Sequence, residues 1–189
     1  MSASPDLITF FMVPIRKDML KELLEKKKAA ILDRWLGLIL ETYPPDTSKL
    51  FKAEKDRFAN PVGHTISKEI EVLYDELLKE MDSERVSVAL ENIIRIRCVQ
   101  DFSASRAVLF IHHLKRAIKE ELAGELQGDP MFREWLTFES NIDHLSLLAF
   151  DIYMKCREKI YEIRLHEMKD QKDSAFRLMA RSGLISDEP

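Results

Sequence analysis

The stretch MFREWLTFESNIDHLSLLAFDIYMKCREKIYEI, residues 131–163, decides the fold. Its apolar side chains recur at alternating spacings of four and three, and among these positions only Lys159 is polar. A mean period of 3.5 residues is typical of the seam of a coiled coil or of a long helix pair. We therefore expect a long C-terminal helix that dimerises. The predicted dimer seam comprises Met131, Trp135, Phe138, Ile142, Leu145, Ala149, Ile152, Cys156 and Ile163.

The length of this seam suggests a second copy of the chain. At 1.5 Å per residue the seam spans roughly 48 Å, more than a domain of 189 residues needs for its own core. Between Leu145 and Met154 the helix is apolar nearly all round, so it should be covered on two sides. One side is predicted to face the domain core and the other the same helix of a partner subunit.

Upstream of this stretch the chain reads as a series of amphipathic helices. The first is predicted over Lys17–Tyr43 and ends at Pro44–Pro45, because the residue before a proline is pushed out of the α region. Later helix starts are predicted where a capping residue precedes an apolar period, at Asp46, Asn60–Pro61, Asp82–Ser83, Ser103 and Asp129–Pro130. The pattern predicts an all-α domain of about six helices with no strand.

Three segments are predicted from the composition along the chain. Residues 1–18 contain the apolar run Leu7–Val13, which is too short to span a membrane, and we interpret it as an N-terminal arm. An alternative is that Met19 is the natural start. Residues 19–166 are predicted to form the folded domain, and residues 167–189 a flexible polar tail.

The charge and cysteine content bound the function and the compartment. A net charge of −4 argues against nucleic-acid binding, which usually needs a strongly basic face. Cys98 and Cys156 lie in apolar periods and are predicted to be reduced core thiols. We expect a cytoplasmic protein with no membrane insertion.

Catalytic signatures are missing from the sequence. It contains no phosphate-binding glycine loop, no CxxC pair, no HExxH and no GxSxG, and its carboxylates are spread among Lys and Arg along helix faces. No set of residues shows metal-ligand spacing. We therefore expect a protein that is not an enzyme and has no metal site.

Three histidines leave alternative functions open. His112 and His113 precede Leu114–Lys115, and this string resembles the HxLKG box of histidine phosphotransfer domains, although Arg116 stands where that family has a small residue. His144 lies beside the apolar part of the last helix, and an imidazole in such a position is the kind of axial ligand that haem requires. We expect no cofactor, with haem as the alternative.

A ligand-binding sensor is a further alternative. In this interpretation, haem or an apolar molecule such as a fatty acid lies between the helices. The predicted pocket comprises Ile70, Leu73, Phe110, Leu114, Phe138, His144 and Leu145.

Arg97 is unusual because it falls close to the apolar face of its helix. Its side chain either reaches out to solvent or pairs with a carboxylate such as Asp101 at the i, i+4 spacing. We favour a buried pair that fixes the helix junction before Phe102.

Three stretches together resemble the RsbRD N-terminal domain family: ILDRWLGLILETYP (31–44), DRFANPVG (56–63) and RIRCVQDFSASRAVLFIHHLKRAI (95–118). The resemblance covers about residues 19–165. Arg106 stands where related sequences lead us to expect glutamine. The family-motif residues are Phe58, Asn60, Pro61, Gly63, Arg95, Arg97, Gln100 and Asp101.

The resemblance implies a sensor half of an RsbT co-antagonist of bacterial stress signalling. It implies a globin-like helical fold that usually lacks haem, dimerises through its terminal helices and passes a signal to a C-terminal output domain. The sequence ends at Pro189 without room for such a domain, so we expect the output to come from an unidentified protein partner. Stand-alone members are similar to proteins associated with dissimilatory sulfite-reduction gene clusters of sulfate-reducing bacteria.

Overall fold

The computed structural model describes residues 19–53, 58–79, 81–126 and 129–182. Within these ranges the regular structure is helical throughout, as the sequence predicts. The predicted N-terminal arm, residues 1–18, lies outside the described residues. The helices are α1 (Met19–Leu40), α2 (Pro45–Ala53), α3 (Pro61–Leu77), α4 (Ser83–Val99), α5 (Ala104–Glu121) and α6 (Asp129–Arg181).

Two of the predicted helix starts are confirmed in atomic detail. The Asn60 side chain accepts a hydrogen bond from the Gly63 amide at 2.8 Å, and Pro61 opens α3. The Asp82 carboxylate accepts from the amides of Glu84 and Arg85. Each cap satisfies amide groups that the first turn of a helix leaves without a partner.

Two other predicted caps differ from the structure. The helix α2 begins at Pro45, and the Pro44 carbonyl accepts from the Ser48 amide, so Asp46 lies in the first turn rather than at the cap. Ser103 occupies the cap position of α5, but its side chain makes no capping hydrogen bond. In both cases the backbone starts the helix without the predicted side-chain contact.

The core lies between α1, α3, α4, α5 and the first part of α6. Helix α1 packs along α5, and α3 packs along α4. The indole of Trp35 donates to the Phe110 carbonyl, and the buried phenol of Tyr74 donates to the Leu24 carbonyl at 3.0 Å. These two bonds satisfy the polar atoms of large buried rings, which would otherwise lose their hydrogen bonds to water.

Helix α6 reaches well beyond the predicted end near His166. It runs to Arg181, so residues 167–181 are helical, and the flexibility predicted for residues 167–189 stays a prediction. The segment contains neither glycine nor proline before Gly183, and its residues are mostly good helix formers. Residues 183–189 lie outside the described residues.

The chain divides into two compact units after Tyr153. In the first unit, α6 is held by polar contacts to the other helices. Glu134 accepts from the Leu20 amide at 2.7 Å, and Lys119 pairs with Glu139 at 2.9 Å. In the second unit, the described residues form only the last part of α6.

Candidate functional site

Most of the predicted dimer seam faces the chain's own core. The side chains of Cys156 and Ile163 are half-buried and exposed, respectively, and both belong to the second unit. The remaining seam residues are all buried in the first unit: Met131, Trp135, Phe138, Ile142, Leu145, Ala149 and Ile152. The chain itself therefore covers these seven side chains, and the dimer contact assigned to them stays a prediction.

The opposite face of α6 is apolar and exposed. Leu147 lies two residues after the buried Leu145, and Phe150 lies two residues before the buried Ile152. Two residues correspond to a rotation of about 200° around an α-helix, so each exposed side chain points away from its buried neighbour. The side chains of Leu147 and Phe150 are 66% and 45% exposed. The prediction that this part of α6 is apolar on two sides is right, and among the described residues only one side is covered.

The second unit carries further exposed apolar side chains. Every described side chain from Tyr161 onward is exposed, including those of Ile163, Leu165 and Met168. A shallow depression among residues 159–170 is lined by side chains of this one helix. Taken by itself, this unit has no core in which such residues are buried.

The predicted ligand pocket lies in the core of the first unit. His144 is half-buried and lies on α6 next to Leu145. The other six predicted residues are buried: Ile70, Leu73, Phe110, Leu114, Phe138 and Leu145. These six side chains therefore lie in the core. The proposal that they surround a ligand stays a prediction.

The two histidines of the phosphotransfer alternative differ in environment. His112 is exposed, whereas His113 is half-buried with its Nε2 atom fully buried. Burial lowers the pKa of His113, the positive charges of Arg97 and Arg116 lower it further, and Glu41 opposes this. His113 is therefore predominantly neutral at neutral pH.

The DRFANPVG motif forms a compact turn into α3. Asn60 is buried; its amide nitrogen donates to the Phe51 carbonyl at 3.0 Å, and its amide oxygen accepts from the Gly63 amide. A Cβ atom at position 63 would lie 2.4 Å from Asn60 Nδ2. Glycine is required there because the capping amide occupies the space of a side chain. Phe58 is 92% exposed.

The second motif, RIRCVQDF, ends α4 with a left-handed residue. Asp101 has φ 55°, its amide donates to the Cys98 carbonyl, and the Phe102 amide donates to the Arg97 carbonyl. This pair of bonds is the Schellman arrangement, in which aspartate here takes the place usually held by glycine. Arg95, Gln100 and Asp101 are exposed. The motif therefore fixes a turn that leaves one arginine inside.

Arg97 is that arginine, and it is fully buried. Its Nη1 donates to the Arg106 carbonyl at 2.9 Å and its Nη2 to the Thr42 hydroxyl at 3.4 Å. The predicted ion pair with Asp101 is wrong: both residues are described, and no ion pair joins them. Asp101 lies past the end of α4, at the exposed left-handed position.

Aromatic rings take the place of a carboxylate around the guanidinium. The Arg97 Cζ atom lies 5.7 Å from the Tyr43 ring centroid, 5.1 Å from that of Phe102 and 5.4 Å from that of Phe110. Ring faces attract cations, more strongly when water is excluded. Burial lowers the pKa of Arg97 and Arg106 lowers it further, but an arginine in this position stays charged. We call Arg97 and these three rings the arginine junction.

The described ranges contain neither a membrane-spanning helix nor a cluster of metal ligands. No helix there is long and apolar enough to cross a membrane. No cluster of three or more metal-ligating side chains occurs among the same residues. Neither Cys98 nor Cys156 forms a disulfide, as predicted; Cys98 is buried in the core, whereas Cys156 is half-buried in the second unit and is not the core thiol that the sequence predicts.

Comparison with known proteins gives one match. The family described as "RsbT co-antagonist protein rsbRD N-terminal domain" matches residues 29–168, about three quarters of the chain. No curated protein and no solved structure matches. The globin-like topology implied by the resemblance therefore stays a prediction.

Proposed function

Since the chain belongs to the RsbRD N-terminal domain family, we propose that it is a non-catalytic regulatory domain that works as a homodimer and binds a signalling protein. The observation that carries the proposal is the exposed apolar face of α6, opposite the buried seam. The family match supports the regulatory role, because the family is described as the N-terminal domain of an RsbT co-antagonist. The association with dissimilatory sulfite reduction stays a prediction.

A second copy of this chain is the occupant that best fits the exposed residues of α6. In the second unit a single helix leaves Tyr161, Leu165 and Met168 in water, and a lone helix gains little stability without packing. In the first unit Leu147 and Phe150 are likewise uncovered. A two-fold interface uses the same surface of both subunits, so one apolar helix face can cover another.

Light scattering coupled to size-exclusion chromatography tests the dimer. We expect a mass of about 44 kDa for the wild type, twice the 22.1 kDa of the chain. Phe150→Glu and Met168→Glu each place a charge on one exposed part of α6. Each substitution occurs twice in a symmetric dimer, and losing the burial of two large side chains costs about 3 kcal/mol or more, roughly a 100-fold weaker dimer.

Val88→Glu is the matched control. Val88 is 51% exposed on α4, away from the proposed interface, so the same change of apolar residue to charge should leave the dimer intact. A charge at Ile152 is unsuitable, because that side chain is buried in the chain's own core. A monomeric wild type, or dimers as tight in both α6 variants as in Val88→Glu, would refute the proposed interface.

The haem-binding alternative has a direct test. Protein purified from a haem-supplied host should show no Soret band if the domain works without haem, as we propose. A stoichiometric Soret band that disappears in His144→Ala would instead establish a haem sensor.

A further inference from the structure

The arginine junction contains more hydrogen-bond donors than acceptors. A guanidinium has five N–H donors, and the Nε of Arg97 has no hydrogen-bond partner among the described residues. No described carboxylate forms an ion pair with Arg97. A buried charge is costly unless it is paired, and rings compensate this cost only in part.

Tyr43 and His113 are neighbours of this guanidinium. The Tyr43 hydroxyl and His113 Nε2 are also buried, and neither has a hydrogen-bond partner among the described residues. Tyr43 contacts the guanidinium through its ring. The Phe110 ring on α5 also contacts Arg97, and His113 lies about one turn after Phe110 on the same helix. Burial raises the pKa of Tyr43 and lowers that of His113, and the positive charge of Arg97 acts to lower both. Three side chains that can each donate a hydrogen bond therefore belong to the arginine junction or are close enough to feel its charge.

We propose that Arg97, Tyr43 and His113 form a binding site for a small monovalent anion, such as chloride or formate. An anion accepts hydrogen bonds from all three groups and supplies the negative charge that no described carboxylate provides to Arg97. The proposal goes beyond the regulatory role and does not depend on dimerisation, since all three residues lie in the first unit.

The surroundings of the junction favour negative charge. Arg106 is exposed; its guanidinium lies 4.8 Å from the Phe102 ring centroid and donates to the Thr42 carbonyl, so it adds a second positive charge on the solvent side. Glu41 is the acidic group that acts on His113. A ring-lined site of this kind suits a small anion better than a phosphate ester, because the walls offer little further polar contact.

Nuclear magnetic resonance of the arginine Nε–H groups tests the site in the full chain. Sodium chloride and sodium formate are titrated at constant ionic strength, balanced with sodium gluconate, whose anion is too large to enter. The Arg97 signal is assigned by its loss in Arg97→Lys. We expect a saturable shift of this signal with chloride or formate. An Arg97 signal that does not move, or that moves linearly with salt, overturns the proposal.

Tyr43→Phe removes one donor while it keeps the ring, so folding is preserved. One hydrogen bond to a charged group corresponds to about a tenfold or greater change in affinity, and we expect that loss in this variant. Tyr74→Phe is the control, because the Tyr74 hydroxyl donates to the Leu24 carbonyl, which does not belong to the arginine junction. The affinity of Tyr74→Phe for the anion should equal that of the wild type. Equal affinities of Tyr43→Phe and wild type overturn the assignment.

Discussion

Replacing Gly63 with alanine tests the physical reason for a glycine in the DRFANPVG motif. The new Cβ would lie 2.4 Å from Nδ2 and 2.7 Å from Oδ1 of Asn60. The Asn60 amide has no free direction in which to move, because it is buried and held by bonds to the Gly63 amide and the Phe51 carbonyl. The substitution must therefore break the cap of α3.

The size of the destabilisation follows from the two hydrogen bonds of the Asn60 side chain. Loss of an N-terminal cap costs about 1 kcal/mol, and loss of the bond to Phe51 costs about 1 kcal/mol more. Alanine returns part of this through its higher helix propensity, less than about 1 kcal/mol. We expect the free energy of unfolding of Gly63→Ala to fall by about 1–2 kcal/mol.

Gly37→Ala is the matched control, because it makes the same chemical change where no atom lies within 4 Å of the new Cβ. Gly37 lies inside α1, so alanine should raise the free energy of unfolding by about 0.5–1 kcal/mol. Urea unfolding followed by circular dichroism, at one protein concentration, should show midpoints shifted in opposite directions, each on the order of 0.5 M. A Gly63→Ala midpoint at or above that of Gly37→Ala would refute the steric argument.

Two further predictions concern Tyr74 and Lys119. Tyr74→Phe should lower the free energy of unfolding by about 1–2 kcal/mol at neutral pH, because the buried hydroxyl donates to Leu24. Burial raises the pKa of Tyr74 above its usual 10.0, so as the pH rises the hydroxyl proton is lost from the unfolded chain before it is lost from the folded one. The free energy of unfolding of the wild type therefore falls as the pH rises past 10.0. Urea unfolding should therefore show the difference between the two proteins shrinking from about pH 9 to about pH 11; a constant difference would contradict the assignment. Lys119→Met should cost less than about 1 kcal/mol, because its pair with Glu139 and its contact with Trp135 are at the surface, and the cost should diminish at about 1 M salt. A cost above about 2 kcal/mol in the same assay would show that this contact is more than a surface pair.

The sequence predicted best the features that depend on neighbouring residues. Asn60–Pro61 and Asp82 start helices because the cap and the amides it satisfies are three residues apart or fewer. The loss of apolar periodicity after His166 predicts an earlier end for α6 than the structure shows at Arg181. Periodicity reports what a helix packs against, whereas its end depends on residues such as Gly183.

The partners of α6 and Arg97 could not be predicted in this way. A period of 3.5 residues is satisfied equally by the domain's own core and by a second copy, and only the structure shows that Trp135 and Leu145 are buried within one chain. Arg97 donates to the Arg106 carbonyl and contacts the rings of Tyr43, Phe102 and Phe110, which respectively follow α1, follow α4 and lie on α5, rather than the carboxylate four residues away. Contacts of this kind depend on how the helices meet.

One hydrogen bond connects the arginine junction to the last helix. The Tyr153 hydroxyl donates to the Phe102 carbonyl at 2.6 Å, and Phe102 is one of the rings around Arg97. Tyr153 is the last residue of the first unit. If an anion bound at the proposed Arg97 site shifts Phe102, the acceptor of the Tyr153 hydroxyl moves with it, so the site has a direct hydrogen-bond contact with α6 at the end of the first unit.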